Sequence, residues 1–250
     1  MDNFSSALNS LESLTKAYDI FVPSLNKKVK FKGLTTKQQK DAVKTALDKN
    51  ITGLTFSNLL NKIISENSLE KNVYLLTDRN YIVTALRVLS LSTKVTVEEE
   101  EKDISFVTNF NLPLPEELKK LDISDDNVLI SVSIPTLEKD TFVNNETRKK
   151  LAPLPDDDNF AKESLGEVYV NELIKYLDKV SVTAGGNVNV IVMNDLTFDQ
   201  KTQLVEKLPL NINTKLVNYI NNVKAFEKKY FTSPSGEELD INIDPTLFTV

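Results

Sequence analysis

Phe4, Leu8, Leu11 and Leu14 recur at spacings of three and four in the Ser/Asn-rich opening, which predicts a short amphipathic helix within Met1 to Lys16. Its apolar face either packs on the core or forms an arm that docks on a neighbouring subunit. Tyr18 to Pro23 and Lys28 to Phe31 then read as short β-runs around the turn-type sequence Ser24-Leu25-Asn26-Lys27, so a hairpin is expected. Gly33 and Thr35 punctuate the entry to a helix in TTKQQKDAVKTALDKN, capped by Thr35 or Thr36, with Val43, Ala46 and Leu47 on one face. Further helices are predicted in FSNLLNKIISEN and TDRNYIVTALRVLSLS, the latter capped by Thr77 or Asp78 and striped by Tyr81, Ile82, Ala85, Leu86 and Leu89.

The period then shortens. Lys94 to Glu98, Ile104 to Phe110 and Val128 to Ile134 alternate apolar with polar and read as strands, and proline marks loops at Leu112 to Pro115 and Leu154 to Asp158. Helical spacing returns in NFAKESLGEVYVNELIKYLDKV, through Leu165, Val168, Tyr169, Leu173, Tyr176 and Leu177. Gly185-Gly186 opens a hairpin turn before a strand at Asn187 to Met193, helices follow in FDQKTQLVEKL and NTKLVNYINNVKAFEKKYF, and EELDINIDPTLFTV closes as a β-type stretch.

Strands clustered in this way give an α+β class: an N-terminal β-hairpin plus helices, middle antiparallel strands, and a helical C-terminal region ending in a short β-stretch. The matching regions are 1–92, 93–158 and 159–250, as separate units or as one continuous domain. The expected core of the first is Ile20, Phe31, Val43, Leu59, Ile63, Tyr81, Ala85 and Leu86.

Composition chiefly excludes. His and Cys are both absent from the 250 residues, which removes Ser/His and Cys nucleophile systems, the usual zinc ligand sets and any disulfide. No metal site and no cofactor is expected. Gly185-Gly186-Asn187 lacks the Gly-Lys-Ser/Thr of a phosphate loop, and Asp156-Asp157-Asp158 lacks the alternation and closing Glu of a calcium loop. A net charge of −6, with acid gathered at Glu98 to Glu101 and Asp156 to Asp158, speaks against nucleic acid as a partner and for solvated loops or faces. The N-terminus has no secretory pattern and no apolar run reaches membrane-spanning length, so the chain reads as made soluble. A carboxylate-dependent hydrolase needs only two acids, but no local spacing singles out a pair. Arg87, between Leu86 and Val88, reads as an arginine snorkelling at the edge of a buried face or as one held for a carboxylate.

Three stretches together resemble the baseplate hub subunit and hub assembly catalyst family of T-even-type myophages. YDIFVPSLNKKVKFKGLTTKQQKDAV is similar to the family's hairpin-plus-helix start. LTDRNYIVTALRVLSLS looks like its next landmark, an acid before an aromatic and a helix ending in Leu-Arg and a small polar residue. TKLVNYINNVKAFEKKYF with SPSGEELDINIDPTLF is similar to its C-terminal helix, β-stretch and final aromatic. Paired cysteines that some members carry are replaced here by VTVEEEEKDISF and SPSGEELDI, so no metal-ribbon role carries over.

The resemblance implies no catalytic residues. It implies a non-enzymatic structural hub component of a contractile phage tail, or a non-virion assembly factor for the hub, working through other baseplate hub or tail proteins. Its places would be the host cytoplasm during assembly and the virion baseplate thereafter. The residues expected to bind those partners are Phe4, Leu8 and Leu11 at one end and Leu247 and Phe248 at the other, because apolar termini bounded by polar or proline-containing sequence suit docking pockets. The competing reading of Phe248 is that it caps the protein's own core.

Overall fold

Alternation in the first β-run places Ile20 and Val22 on the same side as Val29 and Phe31 of the second, and all four are buried. The strands are β1 (Ala17–Val22) and β2 (Lys27–Lys32), paired antiparallel with Ile20 opposite Val29. Asn26 turns the corner at φ 49°, a conformation that Asn tolerates better than most residues. The computed structural model describes residues 15–45, 52–97, 100–152, 160–241 and 243–248. The predicted N-terminal helix with Phe4, Leu8 and Leu11, the positions Ala46 and Leu47, and the acidic loop Asp156 to Asp158 lie outside the described residues.

Gly33 follows β2 where the chain passes so close to Tyr18 and Ser90 that an added Cβ would meet them at 3.1 and 3.2 Å. Helix α1 (Thr36–Thr45) starts with a reciprocal cap: the Gln38 N–H donates to Thr35 Oγ1 and the Thr35 N–H donates to Gln38 Oε1. Its buried residues are Gln38 and Ala42, while Val43 is exposed, which corrects the expected face. Gln38 is tolerated inside because its amide exchanges hydrogen bonds with Asn67, at 3.0 and 3.2 Å, so a polar letter marks the true inner face.

Helices α2 (Thr52–Asn67) and α3 (Leu76–Ser90) complete the first region. The residue preceding α3 is Leu75, so neither Thr77 nor Asp78 is the N-cap. Asp78 sits in the first turn, and its carboxylate accepts from the Leu75 N–H at 2.8 Å. Ile20, Phe31, Ile63, Tyr81, Ala85 and Leu86 are buried as expected, and Leu59 is partly buried against the same core.

β3 (Lys94–Val97) and β4 (Glu100–Asp103) form a small hairpin, so part of the acidic run is a strand with exposed glutamates. The expected strand at Ile104 to Phe110 is instead a 3₁₀ turn at Ser105–Asn109. Ile104 and Val107 are buried three residues apart, and Tyr81 donates its hydroxyl to the Val107 carbonyl at 2.9 Å, which holds the tighter period. The short helix α4 (Glu116–Lys119) leads into β5 (Lys120–Asp125) and β6 (Val128–Ser133), and α5 (Leu137–Leu151) is capped by Thr136.

Helix α6 (Phe160–Tyr176) stops four residues before the expected end, and β7 (Leu177–Ala184) begins at once. Leu177 to Val180 is ambiguous by local pattern, and pairing with β6 decides it. β8 (Asn187–Val192) follows the Gly185-Gly186 turn, then α7 (Phe198–Glu206) and α8 (Leu210–Lys228). The terminal β-type stretch contributes one isolated bridge, Thr232 to Glu238, and then a 3₁₀ turn at Pro245–Phe248.

The main sheet is antiparallel in the order β5-β6-β7-β8, taking strands from both sides of residue 158. One apolar cluster runs from Ile20 through Ile130 and Val180 to Phe248. The fold is α+β. No described helix is long and apolar enough to cross a membrane.

Candidate functional site

Two kinds of feature could carry function: buried polar clusters and apolar surface left uncovered. The main polar cluster centres on Asp140 of α5, which is 1% exposed. Arg79 of α3 approaches its carboxylate at 3.0 Å and Lys175 of α6 at 2.8 Å. Asn61 and Ser57 of α2 donate to it at 2.8 and 3.1 Å, and Asn144 at 3.2 Å. Burial pushes this carboxyl up, but the Lys175 ammonium and Arg79 guanidinium outweigh it and hold it below the usual carboxylate range. Glu172 extends the cluster through Lys175 at 2.8 Å and toward Lys224 of α8 at 3.8 Å. This enclosed, doubly paired carboxylate ties four helices into one geometry.

A second cluster joins the β1–β2 turn to α3. Asp78 is wholly buried and accepts from the Ser24 N–H at 2.9 Å, from the Ser24 hydroxyl and from the Leu75 N–H. Burial raises its pKa to about 6 against the pull of those donors. Glu227, on α8, is raised to about 7 by the same cause.

Arg87 is 4% exposed and donates through Nε to the Leu247 carbonyl at 3.0 Å and through its guanidinium to the Ser92 carbonyl. It therefore neither snorkels nor pairs with a carboxylate. Because α3 is enclosed on nearly every side, no water-facing edge lies within reach, and main-chain carbonyls take the donors instead. Leu247 and Phe248, expected to bind partners, lie at 5% and 0% exposure within the chain's own core. Phe248 meets Phe56 edge-on at 6.2 Å, and its carbonyl accepts from Gln39 at 2.8 Å. The geometry is that of a tail capping its own core, so these two side chains are not free to dock elsewhere.

Among the described residues, uncovered apolar side chains gather in three places. A groove of about 1350 Å³ between α2, α5 and the loop before α3 exposes Leu69, Val73 and Phe142. The first turns of α6 expose Leu165, Val168 and Tyr169, next to Leu210 on α8, where Asn213 donates to the Tyr169 hydroxyl at 3.2 Å. On β8, Val188, Val190 and Val192 are exposed along one face. The β8 strand and the α6 stripe are legible in the sequence, whereas their exposure is not. The available signal was that NVNVIV carries no charge, unlike a guarded edge. Asp140 and Lys175 gave no signal, being ordinary charged letters on amphipathic helices. Among the described residues, no group of three or more acidic side chains is placed to hold a metal ion.

The model of the family described as T4 bacteriophage base plate protein matches residues 15–233. The chain belongs to that family. It is a phage baseplate protein, the broad assignment to which the three resembling stretches also pointed. Neither the curated proteins nor the solved structures gave a match. The family match takes in both polar clusters, the groove and β8, while all five residues singled out as partner anchors, Phe4, Leu8, Leu11, Leu247 and Phe248, fall outside it. Interaction with other phage proteins follows from membership of a baseplate family.

Proposed function

We propose that this baseplate protein is a structural component of the hub of a contractile tail, acting by binding neighbouring hub or tail proteins and not by catalysis. It is made in the host cytoplasm and carried into the virion. The observation that supports this reading is the family match across most of the chain, joined to apolar surface gathered in three places of the described fold, away from the buried Asp140 and Asp78 clusters. A stable interface needs a desolvated apolar centre, and exposed Val, Leu and Phe side chains of this kind supply one. The segment Met1 to Lys16 adds a docking arm through Phe4, Leu8 and Leu11.

Quantitative mass spectrometry of purified tails tests the role. The expected result is this chain at a fixed ratio to the other baseplate proteins. Its absence from tails, with abundance in infected-cell extract, would overturn the structural role and leave that of a transient assembly factor. Deleting Met1 to Lys16 is expected to reduce recovery of its partners from infected cells without changing the fold, as checked by circular dichroism.

A further inference from the structure

β8 closes one side of the four-stranded sheet, and among the described residues no strand lies beyond it. Its hairpin with β7 closes at the pair Ala184 and Asn187, around Gly185 and Gly186 at φ 58° and 82°. A two-residue turn with both central φ values positive is the hairpin turn whose closing pair exchanges both N–H to carbonyl bonds. Because antiparallel ladders alternate, Asn187, Asn189 and Ile191 aim their main-chain groups at β7. Val188, Val190 and Val192 aim theirs outward. No main-chain hydrogen bond joins these three valines to another described element outside the β7–β8 pair. Their side chains share one face and are 61%, 57% and 41% exposed.

The edge also lacks the guards that sequence and pairing can supply. Asn187–Val192 has no charge and no proline, and its pairing with β7 runs without a bulge. The strand that fits it must offer outward main-chain groups at every second residue, with an uncharged apolar side chain on the same face at each of them. β8 itself has that pattern.

We propose that this edge is occupied by β8 of a second copy of the chain, antiparallel about a two-fold axis at Val190. The register follows from the geometry. Outward groups must meet outward groups, which excludes any slip by one residue, and only centring on Val190 engages all three valines. Val190 then faces the partner subunit's Val190, and Val188 faces the partner subunit's Val192. Every cross-strand pair on that face is Val with Val, and no like charges oppose. The two sheets join into a continuous eight-stranded sheet, a closed isologous contact of the commonest kind. The inference does not rest on the hub role, and failure to enter tails would leave it standing.

The test uses the full chain, which has no native cysteine. On the axis, a Val190→Cys thiol lies opposite its own copy, with Cα atoms about 5.5 Å apart as in any hydrogen-bonded antiparallel pair. Leu210→Cys, at a position 78% exposed on α8, serves as control. The intact protein is expected to scatter light as twice its 28.1 kDa chain mass. With a short bifunctional maleimide, Val190→Cys is expected to crosslink roughly tenfold or more faster than the control, because the paired thiols have a high effective concentration. Val190→Lys, which sets two ammonium groups face to face, is expected to run at 28.1 kDa with an unchanged circular dichroism spectrum. A monomeric intact protein, or a dimer in which Val190→Cys links no faster than Leu210→Cys, would overturn the proposal and leave the edge to a strand of a different protein.

Discussion

Helices α3 and α6 have similar lengths, 15 and 17 residues, and both carry apolar residues at helical spacing. Their fates differ. α3 buries eleven of its residues, including Asp78 and Arg87, because the β1–β2 hairpin, α2, the 3₁₀ turn at Ser105–Asn109, α8 and the C-terminal tail surround it. Among its described side chains, α6 sinks into the core from Asn171 onward, where Leu173, Ile174 and Tyr176 are buried, and leaves Leu165 and Tyr169 in the open. The stripe itself is the same signal in both. A hydrophobic period reports that a face needs covering, not whether the cover is supplied by the same chain.

The strongest way to break this contrast is to attack what locks the first helix. Asp140→Ala would leave the partly buried Arg79 without its carboxylate and Lys175 with Glu172 alone, and removing one member of a buried pair costs about 3–5 kcal/mol. The urea midpoint is expected to fall sharply. A midpoint near that of the intact protein would mean that the cluster is solvated and the helices are held otherwise.

Leu86 lies wholly buried on α3, so Leu86→Ala is expected to cost about 2–5 kcal/mol through lost burial and the cavity left behind. The matching change on the exposed part of α6, Leu165→Ala, is expected to stay within about 0.5 kcal/mol, as surface substitutions usually do. Equal losses from the two, read from parallel urea melts, would show that α6 is covered in solution.

A smaller effect comes from Asp78, which is buried, and Glu227, which is partly buried. Asp78 and Glu227 are raised by burial from 3.8 to about 6 and from 4.5 to about 7, so the folded chain holds their protons more tightly than the unfolded chain. Their contribution is complete below the unfolded values and is lost as pH rises through about 6 and then about 7. Asp140 is shifted the other way, and its contribution is lost only as pH falls below the ordinary Asp range. Stability is therefore expected to decline by on the order of 2–3 kcal/mol between about pH 5 and pH 7 and to level off above it. Urea melts across this range check it, and Asp78→Asn is expected to flatten the slope. A stability that rises with pH over the same interval would show that both acids are ionised in the fold.

Elements whose evidence is local were legible in the sequence. The β1–β2 hairpin follows from alternation plus turn residues, the β7–β8 turn from adjacent glycines, and α2, α3, α7 and α8 from helical period. Each of these depends on contacts between residues near in sequence, where backbone sterics and periodicity act directly. The family was legible too, from three stretches that all overlap the matched span. Burial decided by distant partners was not legible. Gln38 is inside because Asn67 satisfies it, Ile104 to Val107 coils because Tyr81 grips it, Leu177 leaves the helix because β6 pairs with it, and Phe248 is enclosed because α3 and Phe56 meet it. A one-dimensional pattern gives the sign of a residue's preference for water; only the tertiary arrangement supplies the partner that satisfies a buried polar group, or withholds the one that would cover an apolar edge.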